Sequence, residues 1–324
     1  MIDKKIHDKN LQFLENYLLK NKLDFIYYKK TLNVKYFSSG GGTHLYLITN
    51  GSNSFLARIN YYFKKNEWRV KRQEYNVLRE IENLNISPKA FLLNERNNLL
   101  QHFTIVEYID GKSINKFTKN QIIKLAKDLH KLHNFKISYN KSDYIPYKCN
   151  IFETFSNGED KQIENYITFL GIKPIIPIFN NIKNILGLWF NSLPIFKDCK
   201  KFVLCHGDLK KENIISVKQG IKLIDWECAD IDILETDIAG LFSGCRFNDK
   251  QQSIFIRNYF SKYPLQLVLD RIIAIKIVLN FFNIIEDYCI YKRKKWHSSD
   301  MLKDLIKYKN KFEIIKNYIN FRYN

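Results

Sequence analysis

The chain has no cysteine pair of the CxxC kind. Its six cysteines, Cys149, Cys199, Cys205, Cys228, Cys245 and Cys289, are scattered. That spacing argues against a zinc knuckle and against a disulfide scaffold, and several of them sit in apolar runs as reduced buried thiols do. No run of 18 apolar residues occurs, so no membrane-spanning helix is expected. Charged residues follow Met1 with no apolar stretch behind them, so no secretory leader is expected and a cytoplasmic protein is. Acids are scarce, 33 Asp and Glu against 52 Lys and Arg, for a net charge of +19. The bases are spread along the chain, with one dense run at Lys292-Arg293-Lys294-Lys295. The surplus therefore reads as a solvated basic surface rather than a nucleic-acid face, and such a field also attracts anionic nucleotides. With 324 residues the chain is long enough for a two-lobed protein with a sizeable core.

Against this background one stretch, Lys201 to Phe242, carries the chemistry. Two short apolar runs, Phe202–Cys205 and Ile221–Ile224, read as buried strands, and an acid follows each, Asp208 and Asp225. Asn213 lies five residues after Asp208, and Asp225 seventeen after it. A carboxylate just beyond a buried strand is rigidly supported. Asp, Asn and Asp are hard oxygen donors, suited to one Mg²⁺ and one proton acceptor. Taken singly, each is also a common turn or cap residue.

His206-Gly207-Asp208 with Asn213 resembles the HGDxxxxN catalytic loop of the aminoglycoside phosphotransferase and choline kinase family, a relative of the protein-kinase H-R-D-x-x-x-x-N loop. Asp225-Trp226-Glu227 stands where protein kinases carry D-F-G. Together with Asp237-Ile238-Ala239, it resembles the choline and thiamine kinase branches. The resemblance runs from about Val34 through Asp237. It implies an α+β, bilobal protein-kinase-like fold, with a small antiparallel-sheet lobe over residues 1–110 and a larger, mostly helical lobe over 111–324. It also implies ATP or GTP as phosphoryl donor, bound between the lobes.

The first half of the chain is read in the same frame. Residues 1 to about 30 carry a helical apolar face. Strands are expected at Val34–Phe37, Thr43–Thr49 and Ser54–Ile59, with Asn50-Gly51 as a hairpin turn and Ser38-Ser39-Gly40-Gly41-Gly42 as a loop. Backbone amides at Gly40, Gly41 and Gly42 suit phosphate oxygens. Arg58 ends the third strand where protein kinases place a lysine, so the resemblance gives it the phosphate grip, with bidentate rather than point-charge geometry. Glu74, on a helix from Trp68 to Leu84, is the best match to the glutamate that pairs with that cation, with Glu67 and Glu80 as nearby alternatives. Val106 to Gly111 resembles the interlobe hinge, where the Glu107 carbonyl and the Ile109 N–H would meet adenine. Asn120–His133 reads as a helix whose His130 and His133 are structural rather than metal ligands.

By the resemblance, Asp208 would orient the acceptor hydroxyl and take its proton. Asn213 and Asp225 would hold Mg²⁺, and Asp237 would brace the catalytic loop. Glu227, Asp230 and Asp232 are candidates for attracting a cationic substrate in a partly desolvated site. Tyr288, Tyr291 and Trp296 are candidates for an aromatic cage around a quaternary ammonium, although such stripes are more often core. The acceptor expected is a small, cationic alcohol of the choline, ethanolamine, thiamine or aminoglycoside type. Two alternatives stand beside this enzyme. A protein kinase is disfavoured because no D-F-G or A-P-E tripeptide follows Asp225. A non-catalytic nucleotide- or nucleic-acid-binding relative is disfavoured because Asp208, Asn213 and Asp225 are all present.

Overall fold

The structure is a computed structural model that describes residues 4–26, 32–40, 43–51, 53–60, 67–94, 103–137, 176–197, 199, 202–291 and 298–323. The chain divides into two compact units. One lies within Met1–Ile114, Lys136–Ile145 and Ile214–Glu227, and the other within Asn115–Phe135, Pro146–Asn213 and Cys228–Asn324.

The first unit is built on an antiparallel sheet of β1 (Leu32–Gly40), β2 (Thr43–Asn50), β3 (Asn53–Asn60), β4 (Ala90–Asn94) and β5 (Phe103–Glu107), in the order β1-β2-β3-β5-β4. One face of the sheet is apolar. Tyr46, Ile48, Ala57, Phe103 and Ile105 are buried there against Leu14 and Leu18 of α1 (Lys4–Asn21). The i, i+4 spacing of those two leucines puts both on one side of the helix. The glycine segment differs from the loop expected at Ser38–Gly42. β1 bulges between Tyr36 and Ser38, then resumes pairing through Ser39↔His44 to Gly40↔Thr43. The bulge absorbs the irregularity that the serines and glycines signal, so the strand continues to Gly40. Gly41 and Gly42 lie outside the described residues.

α2 (Glu67–Glu80) follows the sheet's first three strands and buries Val77 and Leu78. A three-stranded sheet completes this unit, made of β6 (Lys112–Ser113), β8 (Ile214–Val217) and β9 (Gly220–Leu223) in the order β6-β8-β9. Gly111 lets the chain pass β8 closely, because a Cβ there would sit 2.4 Å from the Ser216 carbonyl oxygen. β9 is tied to the segment after α2. The Leu223 N–H donates to the Ile86 carbonyl at 2.7 Å, and Lys222 Nζ donates to Asn85 Oδ1 at 2.6 Å. The segment from Ile224 to Glu227, which stays in this unit, thus follows an anchored strand.

The second unit is mainly helical. α3 (Lys119–His133) starts with a reciprocal cap in which Thr118 and Gln121 each bond the other's backbone N–H. α4 (Ile176–Ser192), β7 (Val203–Cys205) and β10 (Asp230–Asp232) follow. β7 and β10 pair antiparallel through Cys205↔Asp230 and Val203↔Asp232. Then come α5 (Leu234–Gly244), α6 (Asp249–Tyr259), α7 (Gln266–Tyr291) and α8 (Ser298–Tyr323). Phe179 of α4 stacks on Phe281 of α7 at 4.9 Å, and the Tyr308 hydroxyl of α8 donates to the Ile277 carbonyl at 3.0 Å. Among the described residues no helix is long and apolar enough to cross a membrane.

Candidate active site

The functional side chains fall into two sets, one on each unit. On the first, β3 places Arg58 two residues before its end, and α2 places Glu74 on its buried side. Arg58 Nη1 donates to Glu74 Oε1 in a close ion pair, and Nη2 reaches Asp225 Oδ1 at 3.2 Å. The planar guanidinium allows both contacts at once. Burial alone would push Glu74 toward its neutral form. Arg58 and Lys71 outweigh it and hold the carboxyl down to about 2. Arg58 loses solvation too, but Glu74 and Asp225 raise its pKa above the ordinary value.

Asp225 comes two residues after β9, in a left-handed backbone conformation with φ +67°. Asp tolerates this region better than most residues, and such outliers concentrate at sites where a side chain is being aimed. The next residue supplies the anchor. Trp226 is fully buried, and its indole N–H donates to the Leu223 carbonyl at 2.9 Å. With the tryptophan pinned inward, Asp225 and Glu227 flank it as partly exposed acids. Glu227 Oε2 accepts from Lys71 Nζ at 2.8 Å, and the same ammonium donates to Glu74 Oε2 at 3.3 Å. Burial, with the neighbouring Glu227 and Glu74, raises the Asp225 pKa even though Arg58 opposes the shift. A carboxyl so placed gains from an added cation.

On the second unit, β7 leads into His206-Gly207-Asp208. Gly207 has φ +82°, and a Cβ there would lie 2.1 Å from the Cys228 carbonyl oxygen, so only glycine fits. Asp237, in the first turn of α5, bonds the loop backbone directly. Its Oδ2 accepts the His206 N–H at 2.8 Å and its Oδ1 accepts the Gly207 N–H at 2.9 Å. His133 Nε2 donates to Oδ2 at 3.0 Å, which leaves His133 Nδ1 to accept from the Tyr259 hydroxyl at 2.6 Å. Burial favours the neutral acid, yet His133 and the Gly207 N–H stabilise the anion more, and the Asp237 pKa is lowered. His133, Asp237 and the buried thiol of Cys205 lie close enough to hold a metal ion. The assigned bonds occupy both Asp237 oxygens and both His133 nitrogens, and burial raises the Cys205 thiol well above its ordinary pKa. This trio is therefore a brace for the loop.

Asp208 has a partly exposed carboxylate. Its Oδ2 accepts from Lys210 Nζ at 2.7 Å and from Asn213 Nδ2 at 2.9 Å. The Asn213 amide also donates to the Asp208 carbonyl oxygen at 2.9 Å. Among the described residues, Oδ1 of Asp208 and Oδ1 of Asn213 accept no hydrogen bond, and neither does Oδ2 of Asp225. Asn213 and Asp225 each present one uncommitted hard oxygen, the donor type that Mg²⁺ takes.

The remaining candidates are placed as follows. Asp230 and Asp232 lie on β10, and each accepts the N–H of the following residue through Oδ1 at 2.7 Å. Burial raises Asp232 to about 6. Glu107 ends β5, where its Oε2 accepts the Lys89 N–H at 3.1 Å. The Ile109 N–H donates to no acceptor among the described residues. Gly40 is the last residue of β1. Trp296 and the side chains of Tyr288 and Tyr291 lie outside the described residues. Lys71, Lys210 and Tyr259 are site residues that sequence reasoning missed. For Lys71 the available signal is its position three residues before Glu74, on the same helical face.

The sheet-and-helix architecture, with an HGDxxxxN loop and a DWE turn on separate buried strands, defines a phosphotransferase of the protein-kinase-like fold. The chain belongs to the phosphotransferase enzyme family, whose model matches residues 33–266. It is 26% identical over 207 residues to "Protein LicA homolog" of Metamycoplasma hominis, covering 63% of this chain and 73% of that one. Its fold is similar to the choline kinase LicA of Streptococcus pneumoniae, with a TM-score of 0.54, 18% identity and coverage of 91% of this chain and 98% of that one. It is also similar to APH(2")-IIa in the streptomycin–ATP ternary complex, with a TM-score of 0.59, 17% identity and coverage of 90% and 95%.

Proposed function

We propose that this phosphotransferase moves the γ-phosphoryl group of ATP or GTP to the hydroxyl of a small cationic alcohol, of the choline or ethanolamine type. The observation that carries the reading is Asp208. The two residues before it, His206 and Gly207, are fixed through their N–H groups by the Asp237 brace, one of its carboxylate oxygens is engaged by Lys210 and Asn213, and the other is open to a hydroxyl.

Asp208 orients the acceptor hydroxyl through Oδ1. The hydroxyl oxygen forms a bond to the γ-phosphorus as the bond from phosphorus to the β–γ bridging oxygen breaks, and the hydroxyl proton passes to Asp208 late in the transfer. Lys210, whose Nζ lies 2.7 Å from Oδ2, holds the carboxylate in its orientation. Arg58 grips phosphate oxygens, and Glu74 holds the guanidinium in place. Asn213 and Asp225 are the residues that would hold Mg²⁺, which when bound neutralises phosphate charge. The main-chain groups of Gly40, Gly41 and Gly42 are assigned to phosphate, and those of Glu107 and Ile109 to the base. Glu227, Asp230 and Asp232 supply negative charge for a cationic acceptor. The LicA-named relative and the choline kinase fold support choline first. The streptomycin complex supports a second reading in which the acceptor is an aminoglycoside.

The test is ADP and GDP release with Mg²⁺ across choline, ethanolamine, thiamine, several aminoglycosides and a protein substrate. Stimulation by choline or ethanolamine is expected. Stimulation by the aminoglycosides alone would replace the acceptor, and stimulation by the protein alone would replace the class.

A further inference from the structure

The described interactions leave Lys71 with two bonds and no place in the phosphate grip of Arg58 and Glu74. Its ammonium is shared between Glu74 at 3.3 Å and Glu227 at 2.8 Å. It is buried, with 11% of its side chain exposed, whereas Glu227 is 39% exposed. A lysine gives up hydration and rotamer freedom to sit there, so the pairing is a structural commitment rather than a surface contact. The result is a chain of charges from Asp225 through Arg58, Glu74 and Lys71 to Glu227. Two cations face three carboxylates, and one negative charge is left over.

Resting on the phosphotransfer reading, we propose that Lys71 is a positioning residue that divides this cluster between metal and nucleotide. Shared between Glu74 and Glu227, it offsets part of the cluster's negative charge, so that the cluster draws a divalent cation weakly until an anionic phosphate chain accompanies it. The argument is electrostatic. With Lys71 ionised, the cluster carries a single negative charge, which repels a nucleotide little and attracts a lone cation modestly. Without it, the cluster carries two, and the attraction for a divalent cation and the repulsion of a polyphosphate both grow. A lysine that merely stabilised α2 would weaken both ligands together. A charge-dividing lysine moves them in opposite directions.

The experiment uses the full chain without acceptor. Mn²⁺ binding is followed by electron paramagnetic resonance, and metal-free ATP binding by calorimetry in chelator. Lys71→Met removes the charge and keeps most of the side-chain length. It is expected to tighten Mn²⁺ and weaken ATP, each about three- to tenfold, the effect of one unit charge a few ångströms away in a partly screened site. Lys71→Arg is expected to restore both. Glu227→Gln removes the opposite charge and is expected to weaken Mn²⁺ and tighten ATP. It keeps the test decisive should the methionine variant fail to fold. Parallel loss of both ligands in Lys71→Met, or no change in either, would overturn the assignment while leaving phosphotransfer intact. A wild-type chain that binds neither probe would overturn both readings.

Discussion

The Asp225 cluster and the Asp237 brace both hold buried or half-buried carboxylates, and they do so by opposite means. Asp237 is surrounded by donors that cannot leave, two backbone N–H groups and an imidazole that is itself fixed by Tyr259. Asp225 faces a guanidinium shared with Glu74, in a cluster where every partner is a charged side chain. The first arrangement suits a scaffold whose geometry must not change. The second suits a site that receives charged ligands, because a side-chain cation or carboxylate can take an incoming group of opposite charge as a further partner, whereas a backbone N–H is fixed by the fold. The shift directions follow the same division. The Asp237 carboxyl is lowered, settled as an anion, whereas Asp225 is raised and would be relieved by a cation.

The comparison breaks most severely at the brace. Asp237→Ala leaves two loop N–H groups and His133 without their acceptor, so a loss of about 3–5 kcal/mol in denaturant unfolding is expected, with activity lost as well. The wild-type contribution of Asp237 follows from its lowered pKa. It is present above the ordinary carboxyl range and is lost as pH falls through the folded-state value. An alanine variant of unchanged stability would show that the brace is dispensable. Gly207→Ala attacks the same loop through the backbone. The positive φ and the 2.1 Å approach to the Cys228 carbonyl predict a loss of at least about 2 kcal/mol, read by the same unfolding experiment.

The charged cluster is expected to yield more softly. Arg58→Lys keeps the charge but cannot fork between Glu74 and Asp225. Stability should fall by about 1–2 kcal/mol, while the KM for nucleotide rises more than kcat falls. Equal effects on kcat and kcat/KM would place Arg58 on the transition state instead. The smallest effect is expected at Asp232, which belongs to neither group and whose pKa is raised to about 6. Its ionisation opposes folding, so the stability its neutral form retains below the ordinary carboxyl pKa is lost as pH rises through about 6. Asp232→Asn should therefore stabilise the protein above that pH by on the order of 1 kcal/mol and do little near pH 4. A variant equally stable or less stable at pH 8 would contradict this.

Much of this architecture can be read from the chain because local rules and tertiary context agree there. The apolar runs before Asp208 and Asp225 become β7 and β9, and Arg58, Glu74 and Asp225 meet although residues 58 and 225 are far apart in sequence. What escaped reading has physical reasons. β8 is four residues long and begins directly after Asn213, so no flanking turn announces it. Lys71 lies in a basic chain where its i, i+3 spacing to Glu74 is a faint signal among many lysines, and its burial between two acids is what distinguishes it. Tyr259 completes a brace with a residue 126 positions away, beyond any periodicity. Ser-Ser-Gly has turn chemistry and reads as a loop, whereas a bulge lets β1 absorb it.

The most direct test of the account compares turnover, ATP binding and thermal stability of Asp208→Asn with the wild-type chain, using whichever acceptor stimulates ADP release. Asparagine keeps the shape and an acceptor oxygen toward Lys210 and Asn213, but it cannot take the hydroxyl proton. The account predicts that acceptor-dependent turnover is abolished while ATP affinity stays within about twofold and the melting temperature within a few degrees. Wild-type-like turnover in the variant would contradict it.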